Sequence, residues 1–593
     1  MNKFVIFHKA KSNYAYAIDK TKIHLRLCTA VDDFKSVSVI YGDKYAWYSK
    51  SEKKMDCILK DAVYDYYQIE LNLVSKRFTY YFILKTFNKK VYVFTEKGLL
   101  TDINENKFNQ YFFNFPYINY SDLHKVPKWI DKAVCYQIFP DRFNNGNPKL
   151  NPENIKKWGT KPTCDNFMGG DLPGITAKLG YLKKLGINTI YMTPFFKSNS
   201  NHKYDIIDYM EIDPNFGTKE DFLNLVDRAH SLGMKVFLDA VFNHCSTDFF
   251  AFQDVVVNGA DSNFKDWFYI NEFPIKLSKI FKAASDASSE DWYIDKKTGK
   301  NIISYECFGY YPGMPKFNTG NENVSNYLVN VGRYWIDEFD IDGWRLDVSN
   351  EIDHHFWRKF REEIKKTKQD ILILGEIWDN GEPWLRGDQF DGVMNYGLTQ
   401  SLKDYFAAGS ITKDAFIYNI NQLIFRNTST ANKAMLNFLD THDTERFITA
   451  AKDNESRLIL ALGFILTFVG IPMIYYGTEI GMKGKGDPDC RKCMEWNEKK
   501  WNKNIFNSVK KLINIRKKEK TLQSGIFKWI EINKGLISYT RTINESSILI
   551  FMNNSDKKNK FKLPNDFKKG YDILNENNLS SIDKYGIKII KNL

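Results

Sequence analysis

The chain has 593 residues, is 43% hydrophobic and 16% aromatic, and carries a formal net charge of +12. That is material for about three or four domains with sizeable cores, and it excludes a disordered chain. The positive charge comes mainly from dispersed lysines, with no arginine-rich arm, zinc-finger spacing or RNA-binding signature, so no nucleic-acid partner is expected.

In chain order, the N-terminal stretch MNKFVIFHKAKSNYAYAIDK lacks the long apolar core and cleavage site of a signal peptide, and the expected location is the cytoplasm. Residues 1–122 read as all-β. KIHLRLCTA, SVSVIYG and RFTYYFILKT alternate polar and apolar residues between turn-like stretches, which predicts a small β-sandwich. From about residue 132 the rhythm becomes strand then helix. Eight strand candidates follow: AVCYQIFPDRF, NTIYMTPFF, KVFLDAVFNH, IDGWRLDV, ILILGEIW, DGVMNY, AMLNFLDTHD and IPMIYYGTE. Helical patterns such as KEDFLNLVDRAHSLG, NYLVNVGRYWIDEFD and HHFWRKFREEIKKTK lie between many of them. The fold class predicted for 123–520 is therefore α/β, a (β/α)8 TIM barrel whose chemistry sits where the strands end. The stretch after the third strand, about 245–309, is too long for an ordinary loop and reads as an inserted subdomain.

The most apolar run, LILALGFILTFVGIPMIYY, raises the question of a membrane span. Its glycines and proline predict a buried helix followed by a strand instead, so no membrane is expected. GLISYTRT and SSILIFMN predict an all-β domain over 521–593. The eight cysteines are scattered, which argues against a disulfide framework. Cys490 and Cys493 form a lone CxxC without a second ligand pair, so neither a zinc nor a redox role is expected of them.

Charged residues collect at the C-terminal ends of four strands. The third ends in Asp239, followed by Asn243 and His244; the fourth carries Arg345 and Asp347; the fifth is apolar until Glu376; the seventh ends in His442 and Asp443. One acid after an apolar run is usually a cap or turn residue, but four such strands converging on one barrel mouth define a candidate active site. Arg345 and Asp347 lie at strand spacing, which reads as a structural ion pair or as an aspartate held ionised. Several carboxylates suit glycoside hydrolysis, in which one attacks the anomeric carbon and another protonates the leaving oxygen. Arg345 favours an ionised Asp347, and the apolar run before Glu376, with Trp378 beyond it, favours a protonated acid.

DAVFNH, GWRLDVSNE, GEIWD and FLDTHD resemble the four signature regions of the α-amylase superfamily, glycoside hydrolase family thirteen. MPKFN and GIPMIYYGTEIG resemble two auxiliary regions. HKYDIIDYMEIDPNFG, DPDCRKCMEW and SNYAYAIDKTKIHLRLCTA are similar to the cyclomaltodextrinase, neopullulanase and maltogenic amylase branch. The resemblance implies Asp347 as nucleophile, Glu376 as acid/base and Asp443 as a third carboxylate holding sugar hydroxyls. It places Arg345, His244, His442 and Tyr204 in the same subsite, with Asp239 and Asn243 behind it. Asn350, Glu351, Ile377 and Trp378 would lie near the leaving-group subsites. It further implies a retaining mechanism, with the Asp347 and Glu376 carboxyls about 5–5.5 Å apart. The implied substrates are cyclomaltodextrins, pullulan and maltooligosaccharides, and the implied assembly is a homodimer through the N-terminal domain. An oligo-1,6-glucosidase, a glucanotransferase and a catalytically dead glycan-binding scaffold are the competing readings. The chemistry needs no cofactor. Related enzymes hold calcium in a loop aligned with Asn145, Asn147 and Asn151, together with the Gly169 carbonyl and Asp171. The asparagines that replace aspartates here lower the ligand charge, so a weakened or absent calcium site is expected.

Overall fold

The computed structural model describes residues 1–101, 111–277, 294–295, 300–301, 303–575 and 579–592. The insertion expected at about 245–309 lies partly outside these residues.

The N-terminal part is a sandwich of two antiparallel sheets. Lys22–Ala30 and Tyr64–Asn72 pair at the centre of one; Ser36–Gly42 and Phe78–Lys85 pair at the centre of the other. Alternation decides what each face does. Ile23, Leu25 and Leu27 share one side of their strand and pack in the sandwich core with Val37, Val39, Phe82 and Leu84. The intervening His24 and Arg26 are on the other side, yet both are buried. Arg26 donates to the carbonyls of Asn427 (2.5 Å) and Phe425 (3.3 Å), at the C-terminal end of the helix Lys413–Arg426. A cation there meets orphan carbonyls and the negative end of the helix dipole. The polar residues of one β-strand thus fasten the sandwich to a helix about 400 residues further along the chain.

His24 has a consequence for stability. Tyr16 and Gln68 contact its two ring nitrogens, and burial, reinforced by Arg26, pushes its pKa down to about 3. In the unfolded chain it takes up a proton near pH 6.5. The unfolded state therefore binds more protons below that pH, and stability falls by about 1.4 kcal/mol per pH unit as pH drops from 6.5 towards 3. The His24→Gln variant is expected to lose melting temperature less steeply than the parent between pH 6.5 and 4.5. Equal slopes would show that His24 is protonated in the native state.

The eight predicted barrel strands are all present: Cys135–Ile138, Thr189–Met192, Lys235–Ala240, Gly343–Leu346, Leu372–Gly375, Gly392–Val393, Leu436–Asn437 and Ile471–Tyr475. They form one parallel sheet in the order 6-5-4-3-2-1-8-7, and a parallel bridge between Met394 and Leu436 joins its ends. The barrel interior begins apolar, with Cys135, Tyr191, Phe237, Leu372, Leu374, Leu436 and Met473 in one cluster. Two residues further along several strands the same inward face turns polar: Gln137 follows Cys135, Asp239 follows Phe237, and Glu376 follows Leu374. Asp239 and Arg345 are register partners on neighbouring strands. The site is therefore the top layer of the barrel core.

The apolar run resolves into the helix Glu455–Thr467 and the strand Ile471–Tyr475, and among the described residues no helix is long and apolar enough to cross a membrane. Beyond the barrel, Ile526–Trp529, Ile537–Ile543, Ser546–Met552, Ile587–Lys591 and Tyr571–Asp572 make a five-stranded sheet. Arg541 from this sheet donates to the carbonyls of Thr467 (2.6 Å) and Gly525 (2.8 and 3.0 Å). It caps the end of the helix Glu455–Thr467 much as Arg26 caps Lys413–Arg426.

Candidate active site

Arg345 has no solvent exposure and stands among three carboxylates. Its Nη1 donates to Asp239 Oδ1 at 2.8 Å and to Asp347 Oδ1 at 2.7 Å, and its Nη2 lies 2.7 Å from Glu376 Oε1 without hydrogen-bond alignment. The guanidinium at Asp347 is thus also shared with Asp239 and Glu376. Burial pushes both aspartates up, Asp239 to about 6 and Asp347 well above the usual carboxylate range; Arg345 opposes the rise, and Glu376 adds to it. Three carboxylates against one cation leave a net negative charge when all are ionised. Asp239 and Asp347, both on the same Arg345 nitrogen, therefore compete for one positive charge.

Local backbone sets the two central carboxylates. Immediately after Asp347 the chain turns through Val348, which adopts a left-handed conformation (φ 45°, ψ 39°) that a β-branched residue rarely takes. The turn aims the Val348 N–H at Glu376 Oε2, 3.0 Å away. Ser349 Oγ donates to the Glu376 carbonyl at 2.8 Å. Gly375 makes this approach feasible, because a Cβ there would lie 2.5 Å from the Phe390 ring and 2.9 Å from Ser349 Oγ. Trp378 Nε1 and Tyr396 Oη both donate to Glu376 Oε1 at 3.2 Å, and their rings stack with centroids 4.0 Å apart.

Asp443 is bound from two sides. His442 Nε2 is 3.1 Å from its Oδ2, and Arg491 Nη2 is 3.2 Å from its Oδ1. Gln137 donates to His442 Nδ1 (2.9 Å), which leaves the imidazole proton on Nε2, facing Tyr204 Oη and Asp443. Burial holds His442 neutral, with the positive charges of Arg491 and Arg345 acting in the same direction. His244 is also neutral: burial, with Lys316 adding to it, lowers its pKa to about 3. Its ring stacks on Phe308 at 4.8 Å, and its Nε2 is buried without a protein partner. Tyr204 donates to Asp239 Oδ2 at 2.9 Å and stacks on His442.

These groups surround a cavity of about 960 Å³. Tyr204, His244, Asp347, Asn350, Glu351, Glu376, Trp378 and Asp443 line it. Arg345, His442, Asp239 and Asn243 stand behind that lining, each almost fully buried. Ile377 does not line the cavity; at 1% exposure its side chain belongs to the main core, because the residue after Glu376 faces out of the barrel. Sequence reasoning missed Arg491 and Asp487, which are ion-paired at 3.0 Å and line the cavity, and Tyr396. The DPDCRKCMEW stretch held the signal for the first two, as an acid and a base close to a proline, but nothing local places it at the mouth. The lone CxxC lies in this segment too. Cys490 Sγ contacts the His442 carbonyl at 3.0 Å, and burial pushes the two thiols up, to about 12 and 11. They are packing groups, not thiolates.

The loop aligned with calcium-binding relatives is closed by its own hydrogen bonds. Asp171 caps the helix Leu172–Leu185, and its two oxygens receive the N–H groups of Gly146, Asn147 and Gly174. Asn151 Oδ1 accepts from Asn145 Nδ2 at 2.8 Å, and Asn147 Oδ1 accepts from the Lys149 N–H at 3.2 Å. Asn145 Oδ1 is the one buried side-chain oxygen of this set without a partner, and the Gly169 carbonyl is a second neutral donor. With its one carboxylate already accepting backbone N–H groups, this set of residues offers a cation little charge.

A (β/α)8 barrel whose C-terminal mouth gathers carboxylates around one guanidinium defines a glycoside hydrolase site. The chain belongs to the α-amylase family: residues 137–525 match the alpha amylase catalytic domain and residues 1–119 the alpha amylase N-terminal Ig-like domain. It is 46% identical over 559 residues to a cyclomaltodextrinase of Thermoanaerobacter pseudethanolicus, covering 94% of this chain and 93% of that protein. It is 40% identical over 563 residues to the intracellular maltogenic amylase of Bacillus subtilis, covering 93% of this chain and 91% of that protein. A solved cyclomaltodextrinase structure superposes over 100% of both chains with a TM-score of 0.90 at 37% identity. The chain is a glycoside hydrolase of that branch.

Proposed function

We propose that this enzyme is a retaining α-glucan hydrolase. It cleaves α-1,4 bonds, with α-1,6 bonds as a second specificity, in cyclomaltodextrins, pullulan and maltooligosaccharides, and it passes part of the product to sugar acceptors. The observation that carries the reading is the shared guanidinium, which brings Asp347 and Glu376, from neighbouring strands, to one cavity wall.

In the proposed first step an Asp347 oxygen attacks the anomeric carbon as Glu376 gives its proton to the departing glycosidic oxygen, leaving a covalent β-glucosyl ester. In the second step Glu376, now ionised, takes a proton from water or a sugar hydroxyl, whose oxygen displaces Asp347. The mechanism needs the proton on Glu376 and the charge on Asp347 at the start of the cycle, and the Arg345 guanidinium at Asp347 favours that charge. Asp443 holds hydroxyls of the sugar being cleaved. Neutral His244, with its Nε2 free, hydrogen-bonds a further hydroxyl, and Tyr204 and Trp378 give ring faces to the sugar. Asp239 acts from behind by orienting Arg345 and Tyr204. The two carboxyls supply nucleophile and acid, so no step is routed through calcium or a cofactor.

The assembly proposed is a homodimer through the N-terminal domain, whose outer surface exposes Phe4, Tyr45 and Tyr48 while its inner face is already fastened to the barrel. A cytoplasmic location accords with the similarity to the intracellular maltogenic amylase of Bacillus subtilis. The test is a product profile on β-cyclodextrin, pullulan and soluble starch, run side by side. Cyclodextrin is expected to turn over faster than starch; the reverse order would overturn the assignment to small and cyclic substrates.

A further inference from the structure

A second cavity, of about 320 Å³, has no part in the mechanism above. Asn145, Ile155 and Trp158, from the chain that follows the first barrel strand, line it together with Glu495, Trp496 and Asn497. The latter three follow the eighth strand, which pairs with the first in the sheet. The same two segments line the catalytic cavity through Asn154 and Arg491. The two spaces therefore share a wall.

Trp158 is half-buried, and its Nε1 donates to the Met494 carbonyl at 3.1 Å. Among the described residues its ring meets no other aromatic ring and joins no apolar cluster. An indole fixed by its N–H, with its ring surface given to a cavity instead of the core, is a stacking surface. Trp496 is fixed too: its Nε1 donates to the Phe143 carbonyl at 2.7 Å, and its ring packs edge-on to Phe143 and Tyr181. Around the rings stand polar groups with hydrogen bonds still to make. Asn145 Oδ1 is buried without a partner, and the Asn497 amide and the Lys156 ammonium have no protein acceptor among the described residues. Glu495 already accepts from the Asn497 N–H and from Lys500. With one carboxylate and one ammonium on the lining, neither an anion nor a cation finds a matching field, whereas a neutral polyol uses donors and acceptors alike.

We propose that this cavity is a second sugar site, which binds a glucosyl unit of a maltooligosaccharide outside the catalytic cleft. It rests on the reading of the enzyme as a glucan hydrolase, which identifies the sugar. The apolar face of the pyranose lies on Trp158. Its hydroxyls donate to Asn145 Oδ1 and accept from the Asn497 amide and Lys156. The volume is near the lower end of the range for small-molecule sites, about 300–1,000 Å³, so a short stretch of glucan fits and a folded partner does not. Because Ile155 directly follows Asn154, sugar held here sits against the loop that lines the cleft.

The experiment uses the full chain carrying Asp347→Asn, so that maltotriose stays intact, and measures bound sugar by equilibrium dialysis up to millimolar free maltotriose. Two molecules per chain are expected, one in the cleft and one here. Adding Trp158→Leu is expected to weaken one of the two about tenfold, the scale of a stacked aromatic face, and Trp158→Phe to restore most of it. Asn497→Asp keeps the oxygen that caps Glu498–Lys500 but removes the amide donor, and is expected to weaken the same site about threefold to tenfold. Should Trp158→Leu fail to accumulate, hydroxyl-radical footprinting of the Asp347→Asn protein carries the test, with maltotriose expected to protect Trp158. A single bound molecule that survives Trp158→Leu, two molecules indifferent to both substitutions, or an unprotected Trp158 would overturn the proposal. No bound sugar at all, with maltotriose left uncut by the parent chain, would overturn the glucan-hydrolase reading itself and the proposal with it.

Discussion

Replacing Arg345 by leucine is expected to destabilise the protein by at least about 3 kcal/mol and to remove measurable glucan turnover. The guanidinium contacts Asp239, Asp347 and Glu376 at 2.7–2.8 Å in a region closed to solvent. Leucine would leave three buried carboxyls without their cation. Asp347, which burial already pushes towards its protonated form, would be driven further that way, and a protonated Asp347 cannot attack. Lysine restores the charge but not the planar fork whose two nitrogens reach the three carboxyls here. Arg345→Lys should therefore recover part of the stability while kcat stays down by at least about 100-fold. Thermal denaturation and initial rates on one preparation separate the two effects. Normal turnover in the leucine variant would mean that the ion pairs are structural alone.

The second large effect belongs to the two carboxyls of the proposed chemistry, and the choice of substrate separates their roles. Asp347→Asn is expected to lose at least about 10³-fold in kcat on every substrate, because an amide oxygen cannot form the proposed ester. Glu376→Gln is expected to lose about 10²- to 10⁴-fold on maltooligosaccharides, the usual worth of general acid catalysis. On α-glucosyl fluoride, whose leaving group needs no proton, its first step should run near the parent rate. Similar losses for both variants on the fluoride would reject the division of labour between Asp347 and Glu376.

The architecture was legible where chemistry repeats at short range. Each barrel strand is a brief apolar run, so the strand-then-helix rhythm located all eight, and the polar residues that end several runs marked the site. The inward face of the helix His354–Thr367 needed no long-range information either, since Phe356, Trp357, Phe360 and Ile364 recur at helical spacing. What could not be read is which distant segments meet. Arg345 was visible beside Asp347, but its equal contacts with Asp239 and Glu376 arise only when three strands close side by side. Arg491 reaches Asp443 across 48 residues, and Arg26 reaches Asn427 across 401. Ile377 shows the converse error: its neighbour Glu376 faces the cleft, and a strand that alternates must turn the next side chain away. Asp171 was assigned as a metal oxygen by resemblance, and its place as the N-cap of Leu172–Leu185 could be seen only once the loop and the helix were in place.

Covalent bonding of Asp347 to the sugar can be observed by trapping the ester. Incubation with a slow-turnover fluorosugar fluoride, followed by proteolysis and mass spectrometry, should place one glycosyl group on the peptide containing Asp347. The parent enzyme should release α-anomeric product first. A label on another residue, or first-formed β-anomer with no labelled peptide, would contradict the double-displacement mechanism.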